Sequence, residues 1–245
     1  MDRYLLITGA SSGVGKALVG ALSEKYNIVL SGRNRQALEE AAENCKNKVL
    51  IWQQDLGEIS SLETGLLEFI KSENIEIDKF VHCAGDMKMV PCKMLSSDSF
   101  LQTFSVNVFS AALIIKTLVS RKINNKALKS AVFISSNISN RGAKTFSVYG
   151  SSKAALDGLM RNLAMELVPK VRINSVLPGG MRTKMTEAIF ADKEVNERIQ
   201  KNYPLGVGMP EDLTGIVEFL LSDKARWITG QQFTIDGGRT IDVTD

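Results

Sequence analysis

A tyrosine and a lysine in the second half of the chain have the spacing of an acid–base pair. Tyr149 and Lys153 begin the stretch YGSSKAALDGLM, which follows a strand pattern ending in the serines of VFISS. An i, i+4 spacing places the phenol and the ammonium on one helix face. We expect the lysine charge to lower the pKa of the phenol from about 10, which suits the phenol for proton transfer to a carbonyl oxygen. Taken alone, the spacing also fits a pair on a surface helix.

The N-terminal residues carry a second pattern. Residues 4–8, YLLIT, read as a short buried strand, and the turn GASSGVG then leads into an apolar-periodic helix. Gly9, Gly13 and Gly15 would let a dinucleotide pyrophosphate approach the backbone and lie at the helix N-terminus, where N–H groups favour an anion. The spacing Thr-Gly-x-x-x-Gly-x-Gly differs from the G-x-G-x-x-G of many dehydrogenases, and a structural turn is the alternative. The position between strand and helix favours cofactor binding.

The second strand bears on which cofactor is bound. Enzymes that use NAD commonly place an acid there to bind the ribose 2′-hydroxyl, whereas NIVLSGRNR supplies Ser31, Gly32 and Arg33 and no acid. A carboxylate would repel a 2′-phosphate, but Arg33 can clamp it through two hydrogen bonds. Ser12 in the glycine turn could add a hydroxyl contact. The alternative is that Arg33 is a solvent-exposed residue at the N-terminus of the next helix and has no role in cofactor binding. The sequence therefore predicts NADP(H).

Apolar runs alternate with helical patterns along the whole chain. This predicts an α/β protein: a three-layer, doubly wound Rossmann fold with a mostly parallel, seven-stranded sheet and helices on both faces. At 245 residues and 44% hydrophobic content, a single domain over 1–245 is expected. The predicted strands are 4–8, 27–31, 48–53, 78–82, 130–135, 171–177 and 231–235. The predicted helices are 13–25, 34–45, 58–73, 98–122, 149–168, 183–200 and 210–222.

Composition disfavours several functions. The net charge of +3 and the pI near 8.7 come from scattered basic residues, so no nucleic-acid partner is expected. The first strand begins near Met1, and we expect no apolar stretch to reach the ~18 residues that cross a bilayer, which predicts a cytoplasmic protein without a membrane partner. The three cysteines lack CxxC spacing and a histidine cluster, which predicts reduced thiols and no metal site.

Six ordered motifs resemble the short-chain dehydrogenase/reductase family in its compact, single-domain branch, over about residues 4–239. They are TGASSGVG at 8–15, Asp55-Leu56, CAG at 83–85 followed by Asn107, ISS at 134–136 with Tyr149 and Lys153, PGG at 178–180, and ITGQQFTIDGG at 228–238. Within the family, the chain most resembles the 3-oxoacyl-carrier-protein reductase type. The resemblance implies an NADP(H)-dependent oxidoreductase that interconverts a carbonyl and a secondary alcohol.

The resemblance also implies residue roles. Tyr149 exchanges the proton of the carbonyl oxygen, Ser136 hydrogen-bonds that oxygen, Lys153 holds the nicotinamide ribose, and Asn107 orders a water for proton relay. Ser135 is the neighbouring candidate for the serine role, and a solvent-facing helix residue is the alternative for Asn107. The cofactor-binding residues implied are Gly9, Ser11, Ser12, Gly13, Val14, Gly15, Arg33, Asp55, Leu56, Cys83, Ala84, Gly85, Tyr149, Lys153, Pro178, Gly179, Met181 and Thr183, with Thr183 on the nicotinamide carboxamide.

His82, the one histidine, departs from the family pattern, which often has asparagine there. A packed histidine at the strand end is favoured over a catalytic base, and the departure leaves open how firmly the following loop is braced.

The sequence does not identify the substrate. Residues 181–203 read as an amphipathic lid in which Met181, Met185, Ile189 and Phe190 could cover an apolar substrate, and a plain surface helix is an equal alternative. Arg141, Lys144 and Phe146 would tolerate an anionic or sugar-like substrate. A carrier-bound acyl group, a sugar or polyol, and a non-catalytic role as an NADP(H)-binding regulator therefore stay open.

The apolar residues of two predicted helices predict a homotetramer. Relatives use the helices predicted at 98–122 and 149–168 as an interface, and both carry more apolar residues than one sheet face needs. The residues in question are Phe109, Ala112, Leu113, Ile115, Leu159 and Leu163.

Overall fold

A seven-stranded parallel sheet forms the centre of the computed structural model, which describes residues 1–241. The strands are β1 (Arg3–Thr8), β2 (Asn27–Gly32), β3 (Val49–Gln53), β4 (Glu76–His82), β5 (Ser130–Ile134), β6 (Arg172–Pro178) and β7 (Gln232–Ile235). Their order is β3-β2-β1-β4-β5-β6-β7, and each neighbouring pair is parallel. The chain thus starts centrally, winds to one edge, and returns to build the other half. This doubly wound Rossmann architecture confirms the predicted fold class.

Helices cover both faces of the sheet. They are α1 (Gly13–Leu22), α2 (Arg35–Ala42), α3 (Ile59–Glu73), α4 (Ser97–Phe104), α5 (Ser110–Leu118), α6 (Arg121–Asn124), α7 (Ser147–Leu167), α8 (Glu187–Ala191), α9 (Lys193–Lys201) and α10 (Thr214–Leu221). One core lies beneath α3, α5 and α7 and includes Phe80 and Phe133. The other lies beneath α1, α2 and α10 and includes Leu5 and Leu30. Because strand side chains alternate between faces, adjacent residues of β1 supply both cores.

The strand order reverses direction between β1 and β4. Their last residues, Thr8 and His82, are paired in register. In open α/β sheets, ligands bind outside the carboxyl ends of the strands at such a switch point. The fold therefore places the glycine turn after β1 beside the loop after β4.

Two predicted helices are interrupted in the structure. The helix predicted at 98–122 contains a π-helical turn at Ser105–Phe109 and ends at Leu118, because Ser120 has an extended backbone. The helix predicted at 183–200 is split into α8 and α9 at Asp192, whose carboxylate accepts a hydrogen bond from the Val195 amide at 3.0 Å. Asp192 therefore starts a new helix rather than continuing the old one.

The other predicted helices differ at their ends. α1 ends at Leu22 and α2 at Ala42, three residues earlier than predicted in each case. The helix predicted at 210–222 opens with a 3-10 turn at Pro210–Leu213, and α10 follows it. End positions depend on capping and local tertiary contacts, which periodicity does not reveal.

One helical run is long and apolar enough to cross a membrane. Ser97–Leu118 spans 22 residues and contains an 18-residue stretch that is apolar enough to cross a bilayer, so the expectation that no apolar stretch reaches bilayer length was wrong. Half of this run is buried inside the protein, and Ala111, Ile114 and Leu118 lie in the core that α3 and α7 share. In this fold, the run serves as a core helix.

Candidate active site

A cleft of about 890 Å³ opens at the carboxyl ends of the strands. The glycine turn forms one side, and the residues that follow β4, β5 and β6 form the floor and the opposite side. Most of the predicted site residues line it: Gly9, Ser12, Gly13, Val14, Gly15, Cys83, Ala84, Gly85, Ser136, Tyr149, Lys153, Pro178, Gly179, Met181 and Thr183. The fold thus gathers four separate sequence motifs into one cavity.

The glycine turn after β1 requires residues without a side chain. Gly9 and Gly13 have φ values of +65° and +52°. A methyl group on Gly9 would lie 2.8 Å from the Ala84 amide nitrogen, and one on Gly15 would lie 2.1 Å from the Gly9 carbonyl oxygen. The turn therefore packs directly against the loop after β4 and brings backbone N–H groups to the cleft.

The N-terminus of α1 is open toward an anion. Ser12 is its N-cap residue, but the Ser12 hydroxyl makes no capping hydrogen bond, and the first turn contains no acid. The Thr183 methyl carbon would lie 3.5 Å from a methyl group placed on Gly13, so the loop after β6 meets the glycine turn here. Unpaired N–H groups and the helix dipole favour a phosphate at this point.

Tyr149, Lys153 and Ser136 converge on the cleft. All three side chains are buried, with Tyr149 in the first turn of α7 and Lys153 one turn later. The Lys153 ammonium lies 5.7 Å from the centroid of the Tyr149 ring and donates a hydrogen bond to the Ile134 carbonyl at 2.9 Å. A methyl group on Gly85 would lie 3.6 Å from that ammonium. The lysine therefore reaches across the end of β5 to the loop after β4.

The two serines after β5 differ in what they contact. The Ser136 hydroxyl accepts a hydrogen bond from the Ile138 amide at 3.3 Å and begins a 3-10 turn. The Ser135 hydroxyl donates to the Lys153 carbonyl of α7 at 3.4 Å. Both residues border the cleft, but the Ser135 hydroxyl is directed to the helix backbone. This placement favours Ser136 as the group that faces a substrate oxygen.

Burial sets the protonation of the pair. It raises the pKa of Tyr149 to about 12, and a hydrogen bond with Ser136 works in the opposite direction. Burial lowers the pKa of Lys153 to about 8, although the nearby Asp157 carboxylate and Cys83 thiol act to raise it. The expected lowering of the Tyr149 pKa by Lys153 is therefore not found in this structure. Desolvation of the buried phenol is the main cause of its raised pKa.

Asn107 lies in the π-helical turn and does not border the cleft. It is fully buried, so the solvent-facing alternative was wrong. Its side-chain oxygen accepts from the Asp86 amide at 2.7 Å, and its amide group donates to the Asp86 carbonyl at 3.1 Å and to the Ser152 hydroxyl at 2.8 Å. Asn107 therefore ties the loop after β4 to α7, directly behind the cleft wall.

His82 is a fully buried residue at the end of β4. Its Nδ1 atom lies 3.0 Å from the Thr8 hydroxyl oxygen, which also accepts from the Ala84 amide at 3.3 Å. Burial and the Lys153 charge lower the pKa of His82 to about 3, so the imidazole is neutral at physiological pH. This agrees with the packed strand-end histidine, and the contact braces the loop that follows.

Four predicted cofactor residues do not line the cleft: Ser11, Arg33, Asp55 and Leu56. Arg33 is exposed directly after β2, and the Ser11 hydroxyl lies near Gly32 at the end of that strand. The Asp55 carboxylate accepts from the Gly57 amide at 2.9 Å ahead of α3. The Leu56 side chain packs in the core. A side-chain contact from Leu56 to a ligand is therefore disfavoured, while Arg33 stays accessible beside the glycine turn.

Several residues of the cleft were missed by the sequence reasoning. Met87 and Met89 follow the CAG motif, and Tyr203 and Arg239 approach from the segments after α9 and β7. The Tyr203 hydroxyl accepts a hydrogen bond from the Gly180 amide at 2.6 Å. The methionine pair directly after a predicted site strand was a usable signal. Tyr203 is the last residue of the predicted lid at 181–203, where no role was predicted for it, whereas Arg239 lies after β7 and reaches the cleft only through the tertiary fold.

These features fit a nicotinamide dinucleotide. The glycine turn and the open N-terminus of α1 suit its pyrophosphate, and the buried Lys153 suits a ribose hydroxyl. Beyond these, Tyr149 and Ser136 offer two hydroxyl groups to one point in the cleft. The fold and site thus define a Rossmann-type oxidoreductase with a tyrosine–lysine centre.

Comparison with known proteins identifies the family. The family described as enoyl-(acyl carrier protein) reductase matches residues 9–240. An uncharacterized oxidoreductase of Methylorubrum extorquens is 31% identical over 244 residues, which cover 96% of this chain and 97% of that protein. Human L-xylulose reductase is 29% identical over 240 residues, 96% of each protein. The chain therefore belongs to the short-chain dehydrogenase/reductase family of oxidoreductases.

Solved structures agree with this assignment. A 4-hydroxyisoleucine dehydrogenase complexed with NADH matches with a TM-score of 0.89 at 30% identity, covering 99% of this chain and 100% of that one. A Beutenbergia cavernae protein assigned as an NAD(P)-dependent gluconate 5-dehydrogenase, with bound NADP, matches with a TM-score of 0.90 at 27% identity over 98% and 97% of the chains. Similar structures thus carry either nicotinamide cofactor.

Proposed function

We propose that this protein is an NADP(H)-dependent oxidoreductase that interconverts a carbonyl compound and a secondary alcohol. The observation that carries the proposal is the convergence of Tyr149, Ser136 and Lys153 on a cleft that also contains the glycine turn. A protein that only binds a dinucleotide needs the turn and the lysine. It has no need for two hydroxyl groups beside them.

A nicotinamide held by the glycine turn and Lys153 would supply a hydride to the carbonyl carbon in reduction and accept one from the alcohol carbon in oxidation. Ser136 and Tyr149 donate hydrogen bonds to the substrate oxygen, where negative charge develops during reduction. Tyr149 gives that oxygen its proton, and the high pKa of the buried phenol keeps it protonated beforehand. Lys153 holds the ribose and supplies the nearby positive charge. Asn107 would order a water for proton relay behind the loop that it braces.

The preference for NADP(H) rests on the end of β2. Ser31 and Gly32 end the strand, the exposed Arg33 follows, and no carboxylate occupies these positions. Gly32 would present little bulk to a 2′-phosphate, and a methyl group placed on it would lie 3.5 Å from the Ser11 hydroxyl oxygen. Arg33 is then the residue that would pair with that phosphate.

Two substrate types have support. A carrier-linked 3-oxoacyl group is proposed from the motif resemblance and from the apolar residues that line the cleft. A sugar or polyol is favoured by the similarity to L-xylulose reductase. An NADPH-oxidation screen across acyl thioesters, ketoses and small ketones tests both types. Tight NADPH binding without turnover on any of them would favour the regulator instead.

The remaining expectations are also proposals. A homotetramer is supported by Phe109, which is 40% exposed, and by Leu113, Leu159 and Leu163, which are partly buried against the core. Ile115 is buried in the core and cannot contribute to an interface as predicted. The cytoplasmic location and the single domain over 1–245 stay predictions from the sequence.

A further inference from the structure

The part of the cleft beyond Tyr149 and Ser136 is mainly apolar. Its walls include Met87 and Met89 after β4, Ile138 and Phe146 before α7, and Met185 and Ile189 of the segment around α8. The lid segment therefore turns its apolar residues toward the cavity, which favours the predicted cover over a plain surface helix. A polyhydroxylated substrate would leave hydroxyl groups facing methionine and isoleucine without partners, at a cost in binding free energy.

Positively charged residues outnumber negatively charged ones at the rim of this cleft. Apart from Lys153, the described residues that line the cleft include the cations Lys184, Arg198 and Arg239, against one carboxylate, Asp192. The Asp192 carboxylate already accepts from the Val195 amide as the cap of α9. A low-dielectric cleft with a cationic rim concentrates anionic ligands.

Arg239 is the least exposed of these three rim cations. Lys184 and Arg198 are exposed, whereas Arg239 is partly buried. Its amide donates to the Asp236 carbonyl at 3.1 Å, and the Arg141 guanidinium donates to the Thr240 carbonyl next to it. Gly238 packs against Pro204, which follows Tyr203. The backbone of Arg239 is therefore fixed between the loop after β5 and the segment after α9.

We propose that the substrate is an apolar oxo acid, or the corresponding hydroxy acid, whose carboxylate binds Arg239 while its hydrocarbon part lies against the methionine-lined wall. This inference rests on the proposed oxidoreductase function and adds the substrate class. A guanidinium pairs with a carboxylate through two parallel hydrogen bonds, and such pairs are stronger where water is excluded. The carbonyl oxygen of such a substrate would then meet the Tyr149 and Ser136 hydroxyls, which border the same cleft as Arg239.

The test uses matched substrate pairs. The parent enzyme with NADPH is assayed on straight-chain oxo acids with the carbonyl at carbons 3 to 6 and on their methyl esters. We expect at least one acid to exceed its ester in kcat/KM by on the order of 10- to 100-fold, the effect of one charge-assisted contact. In Arg239→Met, the ratio of kcat/KM for the acid to kcat/KM for its ester should fall to about one. Arg239→Lys should keep part of the preference, and Arg121→Met, a change of an exposed arginine outside the cleft, should keep all of it.

The possible outcomes separate the two proposals. Equal rates on acids and esters, or a preference that survives in Arg239→Met, would overturn the oxo-acid inference and leave the oxidoreductase function intact. The same holds if neutral ketones or ketoses are reduced and no oxo acid is. Failure of the parent to reduce any carbonyl compound, although it binds NADPH, would overturn the oxidoreductase proposal itself. NADPH fluorescence titration of each variant shows that its cofactor site is folded.

Discussion

The Nδ1 atom of His82 lies 3.0 Å from the hydroxyl oxygen of Thr8. Because that hydroxyl already accepts from the Ala84 amide, its own proton is free to be donated to Nδ1. The neutral ring then carries its hydrogen on Nε2, and the backbone of Val106 and Asn107 in the π-helical turn acts to raise the pKa of the ring, against the effect of burial. This contact joins the ends of β1 and β4 at the switch point, directly beneath the cleft.

His82 should make folding stability depend on pH. Its pKa is about 3 in the folded protein, against an ordinary value of 6.5. Below pH 6.5 the unfolded chain binds a proton that the folded chain does not, so stability falls as the pH decreases toward 3. At pH 5 this linkage amounts to about 2 kcal/mol. Urea unfolding at pH 7 and pH 5 should show this loss for the parent protein and a smaller one for His82→Asn. Identical pH dependences would contradict it.

The fold was predictable because its signals are local. Several strands contain a short apolar run such as YLLIT, and Gly9, Ser135 and Pro178 mark the ends of three strands at the same sheet edge. The interruptions of the predicted helices were not predictable, because they depend on contacts between distant parts of the chain. The π-helical turn at Ser105–Phe109 accompanies the contact of Asn107 with Asp86, a residue of a different loop. Periodicity within one helix carries no information about such a partner.

The candidate site was predictable only where motifs define it. The spacing of Tyr149 and Lys153 indicates a shared helix face, and the structure brings both to the cleft. The same spacing gave the wrong direction for the pKa of Tyr149, because desolvation depends on how the fold buries the phenol. Arg239 was missed for a similar reason, since it reaches the cleft from the far end of the chain.

Replacing Arg33 with alanine should weaken NADPH binding selectively. Loss of a charge-assisted pair with the 2′-phosphate costs on the order of 1.5–3 kcal/mol, while NADH lacks that phosphate and should bind as before. Arg35→Ala is a matched control, because Arg35 is exposed nearby and pairs with Glu39 at 2.8 Å. Fluorescence titration with both cofactors measures the effect. The assignment fails if the parent protein binds NADPH and NADH equally well.

Of two glycine-to-alanine changes, one should weaken cofactor binding and the other should increase folding stability. In Gly9→Ala the new methyl group would lie 2.8 Å from the Ala84 amide nitrogen, at a φ of +65°, so the turn must shift and cofactor affinity should fall. In Gly20→Ala nothing lies within 4 Å of the new methyl group, so the change should raise the free energy of unfolding by about 0.5–1 kcal/mol through the higher helix propensity of alanine in α1. Denaturant unfolding and NADPH titration test both variants. Equal cofactor affinity of Gly9→Ala and the parent would show that the turn does not hold the cofactor.

The partly exposed apolar residues of α5 and α7 should lie in a subunit interface. We expect sedimentation of the parent protein at micromolar concentration to show a tetramer, because such a surface is an aggregation liability in a monomer. Phe109→Glu places a charge on a side chain that is 40% exposed, and it should yield smaller species with unchanged circular dichroism. A parent protein that sediments only as a monomer would exclude the assembly.

Tyr149→Phe should abolish turnover while NADPH affinity stays near the parent value. Phenylalanine keeps the ring and its edge-on packing against Phe146, with centroids 6.1 Å apart, but it removes the proton that the substrate oxygen receives. General acid catalysis of this kind contributes about 10²- to 10⁴-fold, and the loss should fall on kcat.

The neighbouring variants distinguish this role from simple packing. Ser136→Ala should lose rate and keep cofactor affinity, whereas Lys153→Ala should lose both, because the ammonium serves the ribose and the phenol together. Tyr26→Phe, a tyrosine outside the cleft, is the control and should behave as the parent. Steady-state kinetics on a substrate found in the screen, together with NADPH titration, separates these cases. Near-parent activity of Tyr149→Phe would show that another group supplies the proton and would reopen the regulator hypothesis.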